Sequence, residues 1–527
     1  MSIYKILLLF HTVRFLKAKQ IYFRFYYLLR TKLRQFMNGK YNMNISSYAH
    51  THSLTLAPSI SAKRLYKNKK FKFLNLEYTF IKDIDWNYQE HGKLWTYNLN
   101  YFDYLLQEDL PKEMGLELIN NFIEQSASIK DGFMPFPISL RGMNWIKFLS
   151  KYKIKDQNIS DSLYAQYMIL MDNIEYHILG NHLLENGFSL LFGAYYFEDD
   201  ILYIEAKKIL SSELKEQVLN DGAHFELSPM YHQIMLFRVL DCINLIRNND
   251  WKEKDLLTFL MSKAEIMLGW LNTITYENGD IPLLNDSANY IAPTSKELNM
   301  YASILNLKPK QLALYNSGYR KIQTEYYEMI VDIGNIGPDY IPGHAHSDTF
   351  NFEIYCDNEP FIVDTGLSTY ESTVRRTLER SSVSHNTVVV DGINQSEVWG
   401  GFRVARRAKI IHLEENKNYI EATHDGYKRI GVQHTRRFIS YKDSIVIEDE
   451  LKSSSIHEGI AYLHFYPNIL PKVKGNKIII KQKEITIHSA KSITLEPYEY
   501  APEFNKRLPA YKVKIVFTEY LKMEIKL

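Results

Sequence analysis

The sequence is poor in cysteine: Cys242 and Cys356 are the two cysteines in 527 residues. Two cysteines make neither a disulfide framework nor a cysteine-ligated metal site, so we expect both thiols to be free and buried. With 16 Pro and 23 Gly, the chain also lacks the composition of collagen-like and low-complexity proteins. Its apolar and charged fractions are those of a globular protein, and its length suggests two to four domains.

Acidic residues are missing from the first 76 positions, which hold 15 Lys and Arg, and Glu77 is the first acid. The rest of the chain has 48 Lys and Arg against 61 Asp and Glu, a net charge of −13. A segregated basic arm suits an anionic membrane face, an anionic polysaccharide or a nucleic acid. Because the arm has no known nucleic-acid-binding motif and the body is acidic, we do not expect a nucleic acid partner.

Long apolar runs are missing from the N-terminus as well. Residues 6–10 are five apolar residues in a row, whereas a secretory segment needs about 7–15 and a membrane span about 20. Residues 7–34 interleave aromatic and aliphatic side chains with Lys and Arg, which predicts a basic helix that lies on a membrane or packs on the body. We therefore expect a cytoplasmic location or peripheral association with the inner membrane, and a periplasmic location is left open.

The spacing of apolar residues changes along the chain. Between about residues 80 and 310 they recur every three or four positions, as at 161–179, 182–197, 229–247 and 254–271, which predicts helical hairpins and suggests an α/α toroid. From about 317 onwards, short β-branched or aromatic runs between turn residues predict strands, with a hairpin loop at 357–359. Helices followed by strands indicate separate domains. We predict a basic arm at 1–75, a helical domain at 76–315 and a strand domain at 316–527.

Two helix starts carry candidate functional side chains. Asn181 is a plausible N-cap of the first helix, which would be a purely structural role. In the second, Ser228 is the predicted N-cap and Pro229 the first helical residue, so Tyr231 falls in the first turn. The helix dipole favours negative charge there, and we expect the Tyr231 phenol to ionise below its ordinary pKa of about 10, unless it only packs.

A second group of candidates lies near the start of the strand-rich part. If residues 343–348 (GHAHSD) form a strand, His344, His346 and Asp348 share one face, which suits a divalent metal or a metal with a base. Asp364 follows an apolar strand and His385 precedes another. They could complete a set of three ligands with His346, but the irregular spacing does not prove it.

These stretches, taken in order, resemble the heparinase II/III family of polysaccharide lyases. The resemblance includes 93–104 (KLWTYNLNYFDY), 137–145 (PISLRGMNW), 180–186 (GNHLLEN), 221–232 and 279–287 (GDIPLLNDS), and it covers about residue 75 to at least 450. It implies an α+β multidomain chain, an incomplete (α/α) toroid followed by an antiparallel β-sandwich. The basic arm resembles that of members associated with bacterial surface-polysaccharide synthesis.

The resemblance also implies a reaction, β-elimination at a uronic acid within an anionic polysaccharide. Such a lyase must neutralise the sugar carboxylate, remove the proton at C5 and protonate the departing O4. By similarity, Asn181 would bind the carboxylate, and Tyr231 would be base, acid or both in turn with His344 as its partner. Cations such as Arg141 would then lower the pKa of Tyr231.

Further roles follow from the same resemblance. The implied substrate-binding residues are Arg141, Asn144, Trp145, His182 and Glu185. The implied ligands of a structural divalent metal, zinc by similarity, are His346, Asp364 and His385. Glu226 and His232 would have structural roles.

Two other classes remain open from the sequence. An α/α-toroid glycoside hydrolase would need two carboxylates about 5–10 Å apart, and Glu185, Asp221, Glu226 and Asp286 are available without any motif that selects a pair. A glycan-binding or assembly protein of a polysaccharide locus would keep the fold without turnover. The lack of a recognisable export segment favours action on a capsular or exopolysaccharide near its site of synthesis.

Overall fold

The computed structural model describes residues 3–37, 39–45, 51–63 and 65–527. The α-helices in this part of the chain are α1 (Ile3–Val13), α2 (Ala18–Phe36), α3 (Lys93–Tyr101), α4 (Lys112–Gln125), α5 (Pro135–Lys151), α6 (Gln157–Asp172), α7 (Gly180–Phe197), α8 (Asp200–Gln217), α9 (Pro229–Asn248), α10 (Asp255–Ile274), α11 (Ser295–Ile304) and α12 (Val374–Glu379). None of these helices is both long and apolar enough to cross a lipid bilayer.

Strands make up most of the chain after residue 318. They are β1 (Tyr66–Lys67), β2 (Lys70–Phe73), β3 (Leu76–Thr79), β4 (Tyr319–Gln323), β5 (Tyr327–Asp332), β6 (Phe352–Cys356), β7 (Glu359–Ile362), β8 (Val388–Val390), β9 (Val398–Trp399), β10 (Arg403–Val404), β11 (Ile410–Asn416), β12 (Tyr419–His424), β13 (Gln433–Ser440), β14 (Ser444–Lys452), β15 (Gly459–His464), β16 (Lys472–Lys474), β17 (Lys477–Ile480), β18 (Lys483–His488), β19 (Ser492–Glu503), β20 (Lys506–Phe517) and β21 (Tyr520–Lys526).

The helices alternate between buried and amphipathic. Helix α7 is buried at every position except His182, and α5 and α9 are buried along most of their length. Helices α6, α8 and α10 bury one face, because their charged residues occupy the other. Inner helices paired with outer ones form the incomplete (α/α) toroid that the sequence predicts.

The strand-rich part is an antiparallel sandwich. Its sheets have the strand orders β11-β12-β13-β14-β21-β18-β17-β16, β19-β20-β15-β8 and β4-β5-β6-β7. Strand β13 alternates between buried and partly exposed residues, which is typical of a strand with one face on a core. Phe438, Ile447, Leu463 and Val513 share that core across two sheets. The predicted fold class is therefore confirmed.

Several local predictions can be compared with the structure. The hairpin at 357–359 is confirmed, since Cys356 pairs with Glu359 around Asp357 and Asn358, both left-handed. Both cysteines are free and buried, as predicted. The helix predicted over 161–179 instead ends at Asp172.

The N-terminal arm differs from its prediction and from a simple tail. It contains two helices, α1 and α2, in place of the one predicted over 7–34. Strands β1 to β3 form a small sheet that crosses the predicted boundary at residue 75. The domain limits at 75/76 and 315/316 stay predictions.

The toroid and the sandwich meet around aromatic side chains. Tyr276 stacks on Tyr355 of β6 with ring centroids 3.7 Å apart, and Trp270 of α10 lies 6.1 Å from the ring of Tyr319 in β4. The loop after α10 and the loop between β5 and β6 both run along this junction. These two loops carry Asp286 and His344.

Candidate active site

The first turn of α7 is capped by a carboxylate from another segment. Helix α7 begins at Gly180, and Glu226 accepts hydrogen bonds from the backbone N–H of Asn181 (3.0 Å) and from Asn181 Nδ2 (2.8 Å). The prediction that Asn181 is the N-cap is therefore wrong, because Leu179 occupies that position and the Asn181 side chain points to Glu226. A Cβ at Gly180 would lie 2.7 Å from Glu226 Oε1, so the cap requires glycine.

The start of α9 is as predicted. The Ser228 hydroxyl accepts a hydrogen bond from the backbone N–H of Tyr231 (3.3 Å), and Pro229 is the first helical residue. Tyr231 therefore projects from the first turn, where the sequence placed it.

Strained residues precede both helices. Leu179 has φ 70° and Leu227 has φ 57°, in the left-handed region that bulky side chains rarely adopt. The carbonyl of Leu227 accepts hydrogen bonds from Asn285 Nδ2 (3.0 Å) and from the Tyr319 hydroxyl. Strain held by surrounding contacts is typical of functional sites, and here it fixes where the two helices begin.

Asp286 joins the histidines of the GHAHSD stretch. Its Oδ2 lies 2.9 Å from His344 Nδ1 and its Oδ1 lies 2.8 Å from His346 Nε2. The Arg376 guanidinium binds both carboxylate oxygens, at 2.5 and 2.7 Å. Although burial opposes it, the charge of Arg376 and the hydrogen bonds from the two histidines hold the pKa of Asp286 well below its ordinary value.

Residues 343–348 form a loop, so the prediction that they form a strand is wrong. The tight loop still brings His344 and His346 to one carboxylate, because the two rings approach Asp286 on its two oxygens. Asp348 is buried apart from them, and its Oδ2 has no hydrogen-bond partner among the described residues.

Asn181, Tyr231 and His344 form one cluster. The ring centroids of Tyr231 and His344 are 3.9 Å apart, and Asn181 Nδ2 lies 3.3 Å from His344 Nε2. The Tyr370 hydroxyl donates to the Tyr231 hydroxyl (3.2 Å). Because the Asp286 carboxylate can only accept, it fixes the proton of His344 on Nδ1, and Nε2 is left as the acceptor.

The protonation of Tyr231 differs from the prediction. Burial raises the pKa of Tyr231 far above its ordinary value, with Asp286 and Glu226 adding to the effect, and neither Tyr370 nor Arg376 offsets it. The expected lowering by the helix N-terminus is therefore wrong, because desolvation outweighs the helix dipole. The cation that acts on this phenol is Arg376; the prediction named Arg141.

The predicted substrate-binding residues of α5 point into the toroid. Arg141 is fully buried and donates to the carbonyls of Asn100 (3.0 Å) and Gly132 (2.8 Å). Asn144 donates to the carbonyl of Tyr101 (2.9 Å), and Trp145 is fully buried in the core. In this conformation none of the three can touch a ligand, so their predicted role stays a prediction.

The two remaining candidates lie on α7. Glu185 is buried and accepts from Arg238 Nε at 3.0 and 3.1 Å. His182 is partly exposed, with Nδ1 2.9 Å from Glu175 and its ring centroid 4.6 Å from that of Phe136. Of the five predicted contact residues, His182 is thus the one whose side chain is open to solvent.

The predicted metal ligands lie near one another but do not form a compact set. His346 and His385 have ring centroids 5.2 Å apart, and Asp364 Oδ2 accepts from His385 Nδ1 at 2.6 Å and from Asn351 at 2.5 Å. Within the described residues, three potential ligand atoms gather within 4.8 Å at His412, Glu414 and Glu421, a largely exposed group. The predicted place still suits a metal ion, because two buried nitrogens there, His346 Nδ1 and His385 Nε2, have no partner among the described residues.

The carboxylates available to a glycoside hydrolase are all engaged. Glu185 pairs with Arg238, Asp221 accepts from Ser317, Glu226 caps α7 and Asp286 binds Arg376. All four are buried. No pair among these four lies open across a cleft, which is what hydrolysis by two carboxylates requires.

Three residues of the cluster were not predicted as site residues. Asp286 lies in the 279–287 stretch, whose likeness to the family was the available signal. Tyr370 and Arg376 lie in a segment without a recognised motif, and only the packing of α12 against the loop after α10 brings them to Tyr231 and Asp286.

Solved structures with this fold include heparinase III and the heparan sulfate lyase of Pedobacter heparinus. A crystal structure of heparinase III superposes with a TM-score of 0.67 at 16% identity, over 94% of this chain and 91% of that one. This likeness shows the toroid–sandwich fold. The family models for the heparinase II/III N-terminus and the heparinase II/III-like C-terminal region match residues 146–314 and 307–522. The chain belongs to the heparinase II/III family.

Two relatives have an assigned activity. The heparin-sulfate lyase of Pedobacter heparinus is 24% identical over 279 residues, covering 48% of this chain and 40% of that protein. The heparin-sulfate lyase of Bacteroides stercoris is 23% identical over 326 residues, covering 55% and 46%. The chain thus aligns with less than half the length of either relative.

Proposed function

We propose that this protein is a polysaccharide lyase that cleaves a uronic-acid-containing anionic polysaccharide by β-elimination. The observation that carries the proposal is the convergence of Asn181, Tyr231 and His344, with an acceptor nitrogen and a phenol side by side. Membership of the heparinase II/III family and the names of the two relatives support it.

The proton at C5 goes to His344 Nε2. The lone pair of this nitrogen can take up a proton because Asp286 holds the other proton of the ring on Nδ1. When His344 takes up the C5 proton, the resulting imidazolium lies against the Asp286 carboxylate, which stabilises it. Asn181 is the neutral amide beside Nε2 and would bind the sugar carboxylate, whose neutralisation makes the C5 proton acidic.

The departing O4 oxygen takes its proton from Tyr231. Burial keeps this phenol protonated at neutral pH, which is the form a general acid needs. As the C4–O4 bond breaks and the C4–C5 double bond forms, the Tyr370 hydroxyl can stabilise the phenolate by its hydrogen bond. Proton transfer from the His344 imidazolium to the phenolate then restores both groups, whose ring centroids lie 3.9 Å apart.

A divalent metal, zinc by family resemblance, would be held by the unpartnered nitrogens of His346 and His385, with Asp364 orienting the His385 ring. Bound there, it would stiffen the loop that carries His344. The reaction above needs no step at the metal.

The test is the ultraviolet absorbance of the unsaturated uronate product. Purified protein is assayed on heparan sulfate, alginate, hyaluronan and the surface glycan of the producing organism. Tyr231→Phe and His344→Ala should abolish the signal, whereas Tyr290→Phe, at an exposed tyrosine outside the cluster, should leave it unchanged. Binding without product on every glycan would contradict the proposal and favour a glycan-binding or assembly protein.

We further infer that the substrate is a capsular or exopolysaccharide met during its synthesis or turnover. The acidic body supports a uronate chain with little sulfate, because heavily sulfated ligands usually meet basic clefts. Cell fractionation that recovers the protein only in the medium would contradict this placement. The predicted membrane contact of the arm is not needed for the reaction.

A further inference from the structure

Helix α2 exposes a continuous apolar stripe. Tyr22, Phe25, Leu29, Leu33 and Phe36 recur at helical spacing, and between 51% and 87% of each residue is exposed. Isolated exposed apolar residues are common on protein surfaces, but a stripe that runs along the whole helix marks an interaction surface. We call these five residues the outer stripe of α2.

The opposite face of α2 is fixed to the body of the protein. Gln20 donates to the carbonyls of Ile178 (3.0 Å) and Tyr340 (3.3 Å), Tyr27 donates to the carbonyl of Ile174 (2.5 Å), and Arg30 and Arg34 pair with Asp172, each at 2.9 Å. Because these contacts are polar and spaced along the helix, α2 cannot turn its outer stripe inwards without breaking them. The exposure of the stripe is therefore built into the fold.

The charge around the stripe selects the kind of partner. Among the cations of α2, Lys32 is exposed beside the stripe and forms no ion pair within the described residues, and the helix lies in a stretch of 76 residues that has no acid. A second copy of the chain docked through this stripe would bring the same cations face to face. An anionic lipid surface complements both the cations and the aromatic and leucine side chains.

Helix α1 has the same character. Ile3, Ile6 and Phe10 are exposed at three- and four-residue spacing, whereas Leu8 is buried and Thr12 contacts the β9–β10 hairpin through Trp399 Nε1 at 3.1 Å. The first helix is therefore also fixed on one side and apolar on the other.

We propose that the outer stripe of α2, assisted by α1, docks this protein onto an anionic lipid bilayer with the helices lying in the membrane surface. Docking would place the candidate active site close to the lipid, since Gln20 binds the segments that lead into Asn181 and His344. A helix is about 10 Å thick, so the bound chain would hold these segments about that far from the bilayer. The proposal does not depend on the lyase activity.

The test is cosedimentation of the full chain with vesicles. Vesicles of phosphatidylcholine with phosphatidylglycerol are compared with vesicles of phosphatidylcholine alone. We expect binding to the anionic vesicles, a loss of about tenfold or more in the triple variant Phe25→Ser/Leu29→Ser/Phe36→Ser, and a loss of about fivefold in Lys32→Ala. The matched control is Ile201→Ser/Ile204→Ser, which removes two equally exposed apolar residues from α8.

A second measurement reports insertion directly. Tryptophan fluorescence of a Phe25→Trp variant should be quenched by brominated lipids more strongly than that of an Ile201→Trp variant. Equal binding to both vesicle types would overturn the anionic preference, and no binding would overturn the proposal. A dimer in solution that the triple variant dissociates, without vesicle binding by the original chain, would show instead that the stripe joins two copies.

Discussion

Two buried aspartates of this protein each bind an arginine and a histidine, yet they suit different purposes. Asp449 accepts from Arg436 at 2.7 and 2.9 Å and from His434 at 2.7 Å, inside the eight-stranded sheet. Asp286 accepts from Arg376, His344 and His346 at the junction of toroid and sandwich. In both cases the pKa of the aspartate is lowered, although burial alone would raise it, because the arginine and the histidine stabilise its charge.

The Asp449 cluster and the Asp286 cluster differ at the second ring nitrogen of the histidine. His434 Nδ1 lies 2.9 Å from Nε2 of the fully buried His424, whose Nδ1 accepts from the backbone N–H of Gly426 (3.0 Å). This series of hydrogen bonds is complete, because each ring nitrogen has a partner, and every proton in it has a fixed position. His344 Nε2 instead lies 3.3 Å from Asn181 Nδ2 and 3.5 Å from Glu226 Oε2, the His344 ring lies against Tyr231, and the side chain is 12% exposed. An Asp–His pair therefore indicates chemistry only where its outer nitrogen meets further reactive groups.

The largest expected effect on the rate comes from replacing the aspartate of each cluster in turn. Asp286→Asn should lower kcat by about 10³-fold, because the amide no longer holds the His344 proton on Nδ1 and no longer stabilises the imidazolium. Asp449→Asn, the matched control, should lower the melting temperature but leave kcat within about twofold. The assay is the rate of unsaturated product formation in both variants. Equal losses of kcat would show that the Asp286 and Asp449 clusters are both only structural.

A smaller effect is expected at Tyr370. Tyr370→Phe removes the hydroxyl that donates to Tyr231, so the phenolate formed on protonation of O4 loses a hydrogen bond and kcat should fall by about tenfold. KM should change little, because the ring remains. Tyr315→Phe, at an exposed tyrosine just before β4, serves as the control. An unchanged kcat in Tyr370→Phe would contradict the role of Tyr231 as the acid.

The smallest expected effect is the pH dependence of the free energy of unfolding that comes from the Asp449 cluster. Burial lowers the pKa of both His424 and His434, so below pH 6.5 the unfolded chain binds protons that the folded chain does not. The free energy of unfolding should therefore fall as the pH drops below 6.5, by up to about 1.4 kcal/mol per pH unit for each histidine. Urea unfolding between pH 7 and 5 measures this slope, and His424→Gln should flatten it. An unchanged slope would show that these histidines are not the groups that titrate.

Much of the fold could be predicted from residue spacing. Helices α7 and α9 begin within two residues of their predicted starts, and the hairpin after β6 lies at the predicted turn. Spacing failed where apolar residues continued past a polar stop, as after Asp172, and where Arg14 to Lys17 interrupt the N-terminal pattern without Gly or Pro. The spacing of apolar residues shows which side chains are apolar, but a helix can end without any change in that spacing.

The candidate site was predicted only in part. The residues Asn181, Tyr231 and His344 were selected by their motifs, and the structure brings them together. The α5 residues had an equally distinctive motif but face the toroid core. A motif identifies residues that a family keeps in one pattern. It does not show whether they are kept for packing or for chemistry.

The sequence by itself determined the helix-then-strand order, the free cysteines, the acid-free basic arm and the helix start that presents Tyr231, because each depends on local composition or spacing. Tertiary structure alone decided that Asp286 holds His344, and that Arg376 and Tyr370 reach the same cluster whereas Arg141 does not. It also decided that the Tyr231 phenol stays protonated. Its pKa depends on burial, and burial is set by segments more than a hundred residues apart in the chain packing around one ring.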